Sequence, residues 1–511
     1  MKPIRLISGF RTVGFWTLAS RVLGLVREIM VLSLIGPGPV MDAFVAAFRL
    51  PNMFRRFFAE GAFNAAFVPM FSKRLETGQN AERFGAEALS WLALITLALT
   101  ALSMIFMPAL VWATAGGFDA QRFSLATDFG RIVFPYIFLM SLSALFSGVL
   151  NATGRFAAAA AAPVLLNVLV IVAMSAAWAL GGAVITWLVW TIPIAGVAQL
   201  ALTWGAAARA GFLCAPHIPR PSPEMGALLR TAIPAALATG VVQINLVVGQ
   251  LVASRFDNAV SWLFAADRLY QLPLGVVGIA MSVVLLPDLA RRLAAADTKG
   301  AQNALSRAGE LAMALTLPST VALIVIPLPL VSVIFERGET GTDDVAAIAV
   351  AVAIYGLGLP AFVLQKILQP LYFARSDTRR PFHYALIAML INGATAIGLA
   401  PVLGWIAPAL ATTLAGWAML GLLWWGTRDM GAAARFDQRL RKRLPRTVLA
   451  SVLMGAVLWV AMLALGPLLG LAGIRYVALI ALIALGIVSF FLCAHIFGAL
   501  RFAELRQALR R

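Results

Sequence analysis

Apolar stretches of roughly twenty residues or more follow one another along this chain from about position 12 to position 499. Nothing constrains the fold more, because a helix needs ~20 apolar residues to cross a hydrocarbon core ~30 Å thick. They fall at 12–35, 41–71, 86–114, 125–150, 156–180 and 183–208, then at 226–255, 260–290, 308–335, 345–374, 381–403 and 404–427, and finally at 446–470 and 473–499. The pattern predicts an all-α polytopic membrane protein with about 14 transmembrane helices in 511 residues. Composition agrees: 61% of residues are hydrophobic and 12% charged, against about half and a quarter in ordinary soluble domains. A water-soluble multidomain protein is ruled out. The first apolar run is cut by Arg21 and Arg27 and has no small-x-small cleavage site, so it is read as a retained span and not as a signal peptide.

The formal charge of +18 would suggest nucleic acid in a soluble chain, but here it is accounted for by topology. With the N-terminus placed in the cytoplasm, about 28 of the 40 Lys and Arg residues fall in connections on one side and about four, Arg122, Arg255, Arg337 and Arg475, on the other. A missed or invented span would scramble that partition, so both termini are expected on the cytoplasmic side of the membrane. No nucleic-acid partner is expected. The basic run from Arg428 to Arg446 also suits anionic membrane lipid.

An offset of 218 residues aligns Phe44–Leu75, ending Val68-Pro69-Met70-Phe71-Ser72-Lys73-Arg74-Leu75, with Trp262–Leu293, ending Leu286-Pro287-Asp288-Leu289-Ala290-Arg291-Arg292-Leu293. Both are second spans of a six-helix set, so the copies share one orientation, as in transporters whose halves rock about a central site. The expected domains are an N-lobe of six spans over 1–210, a C-lobe of six over 211–430, and a C-terminal helix pair over 431–511.

Eight basic residues remain inside spans: Arg21, Arg27, Arg49, Arg55, Arg56, Arg131, Arg268 and Lys366. An Arg at mid-bilayer costs ~2.5–3.5 kcal/mol on the insertion scale, so the five in the first two spans would cost on the order of 10 kcal/mol facing lipid. They must see water, a partner or a ligand. Glu28, Asp42 and Glu60 accompany them and Asp267 adjoins Arg268, but the acids are too few. Helical phase puts Asp42, Arg49, Arg56 and Glu60 within ~40° of one another and puts Arg21 and Glu28 on one face. Ser20, Gly24 and Gly61 would permit close backbone approach there. The alternative is a set of buried ion pairs that fix packing, with ends snorkelling to headgroups. The excess of positive charge instead implies an electropositive interior, and the planar guanidinium fork suits phosphate or pyrophosphate. Arg131 is read as snorkelling, whereas Lys366 fits either account.

No other chemistry stands out. Cys214 and Cys493 lie far apart, the three histidines join no carboxylate or nucleophile, and no metal motif or Walker A sequence occurs. No catalytic residues, metal or cofactor are expected.

The run Ser20-Arg21-Val22-Leu23-Gly24-Leu25-Val26-Arg27, with Asp42-Ala43-Phe44, Arg49-Leu50-Pro51-Asn52-Met53-Phe54-Arg55-Arg56 and Ala59-Glu60-Gly61-Ala62-Phe63, resembles the MurJ (MviN) family of lipid II flippases. Ser261-Trp262, Ala266-Asp267-Arg268-Leu269, Pro273, Gly275 and Leu286-Pro287 are similar to its second-half signature, and Phe373-Ala374-Arg375-Ser376-Asp377-Thr378 to its connection after the tenth span. The likeness runs over nearly the whole chain. It implies the fold of the exporter superfamily that includes multidrug and polysaccharide exporters: two six-helix lobes around a central cationic cavity plus a C-terminal pair. It also implies a transporter, not an enzyme, that carries lipid II, the undecaprenyl-diphosphate-linked peptidoglycan precursor, to the outer leaflet by alternating access.

The family's essential arginines match Arg21, Arg27, Arg55 and Arg268, expected to bind the diphosphate, with Ser20, Glu28, Asp42, Arg49, Arg56, Glu60, Ser261 and Asp267 supporting the cavity. Some relatives are thought to bind sodium through acids of the second lobe; with no Asp or Glu over 229–254 or 381–427, that site is not carried over. The last two helices would form a groove for the lipid tail, and membrane potential would bias the empty cationic carrier by ~2.3 kcal/mol per charge per 100 mV. A monomer is expected. The rivals are an exporter of another polyprenyl-linked saccharide, a multidrug exporter of the superfamily, whose mostly cationic substrates suit a cationic cavity poorly, and a membrane transferase, for which the base and metal-binding acids are missing.

Overall fold

The structure, a computed structural model, describes residues 6–55, 62–212, 215–219, 222–471 and 473–500, with backbone alone at 6–11, 62, 65, 233–245 and 276–284. The chain divides into two compact units, Met1–Ser261 and Trp262–Arg511. The first contains α1 (Leu6–Ile35), α2 (Pro39–Arg55), α3 (Ala62–Thr77), α4 (Ala81–Ile105), α5 (Met107–Ala115), α6 (Ala120–Val133), α7 (Tyr136–Ala152), α8 (Phe156–Ala179), α9 (Val184–Arg209), α10 (Pro223–Ala253) and the first turn of α11 (Ala259–Ala294). The second continues α11 and adds α12 (Thr298–Val325), α13 (Pro327–Phe335), α14 (Thr342–Phe373), α15 (Arg379–Leu403), α16 (Ala407–Gly426), α17 (Gln438–Leu469) and α18 (Ile474–Ile496). No strand occurs among the described residues.

The predicted apolar segments lie on these helices, and three of them are each split in two near a proline. Segment 86–114 breaks between α4 and α5, where Pro108 opens the new helix; 125–150 breaks at Pro135 and 308–335 at Pro327. Pro tolerates the first turn of a helix but cannot donate from its interior. Among the described residues, nine helical stretches are long and apolar enough to cross a membrane. Helix α1, bearing Arg21, Arg27 and Glu28, is outside that set.

In the first unit α1 packs on α8, α8 and α7 on α9, α2 on α6, and α3 on α10. Its core includes the stacked rings of Phe67, Phe71 and Phe84, with centroids 5.3 and 5.7 Å apart. In the second, α12 packs on α14 and α17, α16 on α14 and α15, and α17 on α18. Glu310, on α12, pairs with Arg307, Arg439 and Arg443. Asp437 accepts from Arg307 and caps α17 by accepting from Leu440 N at 2.7 Å. These bonds fix the start of the last helix pair to α12, and burying them among opposite charges keeps Arg443 satisfied. Elsewhere α18 turns Val477 and Ile480 outward, 67% and 66% exposed, a surface that only lipid solvates well.

The repeat persists in the elements. α2 and α3 together, and α11 in the other copy, each cross a proline in register, Pro69 and Pro287, and end within one residue of the same 218-residue offset.

Candidate functional site

Helix α8 is almost wholly Ala, Val and Leu, and within it Asn167 is 5% exposed. A buried amide must find partners. Asn167 Nδ2 donates to the Ser20 carbonyl at 3.0 Å and to its hydroxyl at 3.5 Å, while Asn167 Oδ1 accepts from Arg27 Nη1 at 3.0 Å. The other arm of Arg27, Nη2, donates to Glu28 Oε1 at 2.5 Å. One amide therefore joins Ser20 to Arg27 across the α1–α8 seam and fixes the guanidinium plane. Gly24 faces that amide, where a Cβ would stand 3.7 Å from Asn167 Nδ2. Arg21, half-buried on α1, has no carboxylate partner among the described residues.

On α2, Arg49 Nη1 donates to the Leu246 carbonyl of α10 at 3.4 Å, and Arg55 closes the helix, half-buried. Arg56 and Glu60 lie outside the described residues.

Asp42 has a different role from the one helical phase suggested. It is fully buried, accepting from Ser261 N at 2.8 Å and from the Ser261 hydroxyl, with Arg122 Nη1 at 3.5 Å from its other oxygen. Arg122, expected in a connection opposite the basic side, lies in the first turn of α6 and is 5% exposed. It also pairs with Asp119 at 2.7 Å and Asp257 at 2.9 Å, donates to the Phe256 carbonyl at 3.3 Å, and lies over the Phe118 ring at 5.1 Å. The reason is that α2 packs on α6, whose first turn brings Arg122 to the start of α2. Asp42 and Ser261 are thus bonded directly, and the cation beside Asp42 is Arg122.

The electrostatic consequence is that Asp42 is neutralised elsewhere. Among the described residues of α1 and α2, Arg27 pairs with Glu28, and basic residues outnumber acidic ones.

In the second unit, Arg268 lies over the Phe264 ring at 4.6 Å, one helical turn away, which orients the guanidinium through cation–π attraction. Its neighbour Asp267 accepts from Gln271 on the same helix. Lys366 is exposed on α14, and Arg131, with a side chain 47% exposed, donates to the Met104 carbonyl at 3.4 Å and lies 3.9 Å from Asp128.

Sequence reasoning missed Asn167 and misplaced Arg122. A lone Asn in an otherwise apolar helix is a usable signal, because an unsatisfied amide in hydrocarbon is costly. For Arg122 no local signal exists.

The model of the family described as lipid II flippase MurJ matches residues 31–494. A probable lipid II flippase MurJ from Rhizobium tropici is 41% identical, over 99% of this chain and 97% of that protein. One from Rhizobium meliloti (strain 1021) is 42% identical, over 99% and 96%. Among solved structures, the inward closed conformation of lipid II flippase MurJ superposes with a TM-score of 0.80 at 25% identity, covering 95% of this chain and 98% of that one. An inward-facing MATE family transporter of the MOP superfamily reaches 0.67 at 16% identity, over 81% and 95%, a likeness of fold alone. Over almost its full length, this chain belongs to the lipid II flippase MurJ family.

Proposed function

We propose that this chain is a lipid II flippase of the bacterial inner membrane, a transporter that moves lipid-linked peptidoglycan precursor from the cytoplasmic to the outer leaflet. The observation that carries the reading is similarity over 99% of the chain to a protein of that name; Arg21, Arg27, Arg55 and Arg268 are the arginines that the resemblance assigns to the substrate.

In this reading about fourteen spans form two six-helix lobes, 1–210 and 211–430, around a hydrated cationic cavity, and 431–511 adds a pair beside the lipid tail. Both termini are cytoplasmic, and the chain works as a monomer. The four arginines hold the diphosphate by charge-assisted, bidentate hydrogen bonds. Asn167 and Phe264 are positioning residues: one fixes the plane of Arg27 and the other that of Arg268. The Arg122 cluster removes Asp42 from competition for those arginines. The lobes rock about the bound headgroup, and membrane potential biases the return of the empty, net cationic carrier.

The test is replacement of a depleted native flippase by this chain in growing cells, together with flipping of fluorescent lipid II by the purified chain in vesicles. Rescue and flipping are expected. A folded, membrane-inserted chain that does neither, or that expels drugs instead, overturns the reading.

A further inference from the structure

A groove of about 240 Å³ opens on the side of the second unit between α14 and α16. Its walls are Leu364 and Leu368 of α14 and Trp417, Gly421 and Trp424 of α16, with Phe436 also lining it, its ring 5.1 Å from that of Trp424 and tilted by 45°. The lining is apolar, and Trp417 and Trp424 are 44% and 42% exposed.

Both walls are followed by an arginine: Arg375 comes two residues after the end of α14, and Arg428 two residues after the end of α16. Arg375 is half-buried and donates only to carbonyls, Leu371 O at 2.9 Å and Met430 O at 3.3 Å, and the second bond ties the two walls together at the mouth. It has no carboxylate partner among the described residues, and desolvation holds its pKa below the usual value for Arg. Arg428 is exposed, and so is Arg435, which precedes Phe436. A half-buried guanidinium with no carboxylate at the mouth of an apolar slot calls for an anion on an apolar stem.

We propose that this groove binds an anionic phospholipid of the leaflet facing the basic connections, with one acyl chain between α14 and α16 and the phosphate at Arg375 and Arg428. The slot takes only part of any lipid chain; the arginines that follow both walls assign it to an anionic membrane phospholipid, and occupation by the transported lipid's tail is the opposing outcome of the test. The assignment stands whether or not the chain flips lipid II.

The test uses the full chain in phosphatidylcholine nanodiscs titrated with phosphatidylglycerol brominated on its acyl chains, which quenches tryptophan on contact. Saturable quenching is expected, with brominated phosphatidylcholine giving only a gradual decline. A Cβ at Gly421 meets open space, so Gly421→Leu fills the slot without a clash and should abolish the saturable component. Arg375→Gln with Arg428→Gln should weaken it roughly 10- to 30-fold, each arginine near anionic lipid contributing about fivefold. Arg428→Gln alone, at an exposed side chain, serves if the double variant fails to fold. Equal quenching by the two lipids, or unchanged affinity in Gly421→Leu and Arg428→Gln, overturns the proposal. Displacement of the brominated lipid by undecaprenyl diphosphate at equal concentration would also overturn it, by giving the slot to the passenger's tail.

Discussion

Replacing Asn167 tests how the arginine site is held. The Arg27–Asn167 bond is charge-assisted and 3.0 Å long, a class of bond worth about 1.5–3 kcal/mol. The Asn167–Ser20 bond of the same length is an ordinary interhelical one, averaging about 0.6 and reaching about 1.7 kcal/mol in membrane helices. Asn167→Ala loses both. If the full value of the first bond is needed to hold Arg27 against the diphosphate, flipping should fall about 10- to 150-fold, at 1.4 kcal/mol per tenfold. Asn167→Asp separates geometry from charge. It keeps an acceptor for Arg27 but sets a second carboxylate beside Glu28, so that two anions face one guanidinium. The aspartate can no longer donate to the Ser20 carbonyl, so the melting temperature should fall, and flipping should drop at least as far as in the alanine variant. Both quantities can be read on the same preparation, by intrinsic fluorescence on heating and by fluorescent lipid II in vesicles. Parental flipping by Asn167→Asp would refute the idea that Arg27 must keep charge available for an anion.

Other consequences are as definite. Asp42→Ala removes the acceptor of Ser261 and one of three carboxylates around Arg122, and should cost about 1–3 kcal/mol of stability, seen as a lower melting temperature even without substrate. Asp119 caps α6, and the Arg122 amide, followed by the Arg122 side chain, holds its carboxyl below the ordinary value. Its stabilising contribution is therefore complete above the unfolded-state pKa, about 3.9, and fades as pH falls through the lower folded value. Melting temperature should drop between pH 5 and pH 3, less so in Asp119→Asn; identical profiles would count against the cap. Glu310→Gln leaves Arg307, Arg439 and Arg443 without their shared carboxylate. It should loosen α17 from α12, measurable as faster amide exchange at the start of α17 with little change at α15 and α16.

Much of this architecture was legible in the residues. The length of the apolar runs located the helices, and the 218-residue offset anticipated that α2 with α3 and α11 would end alike. Pro108, Pro135 and Pro327 were equally visible, but where a proline would split a run into two helices depended on packing. At the site, the count of buried arginines against acids signalled an anion-seeking interior. The partners did not follow from that count. Helical phase compares residues on one helix, so it grouped Asp42 with Arg49; the Arg122 that takes Asp42 lies eighty residues away on a helix whose approach is set by tertiary contact. Asn167 reached Arg27 across 140 positions for the same reason.

The central claim is that cations at bilayer depth recognise a diphosphate. Equilibrium binding of undecaprenyl diphosphate, undecaprenyl monophosphate and the neutral alcohol to the purified chain tests it most directly. The account predicts tightest binding for the diphosphate, weaker binding for the monophosphate and weakest for the alcohol, an order that flattens when Arg27 or Arg268 is changed to Gln. Equal binding of all three to the parent chain would contradict it.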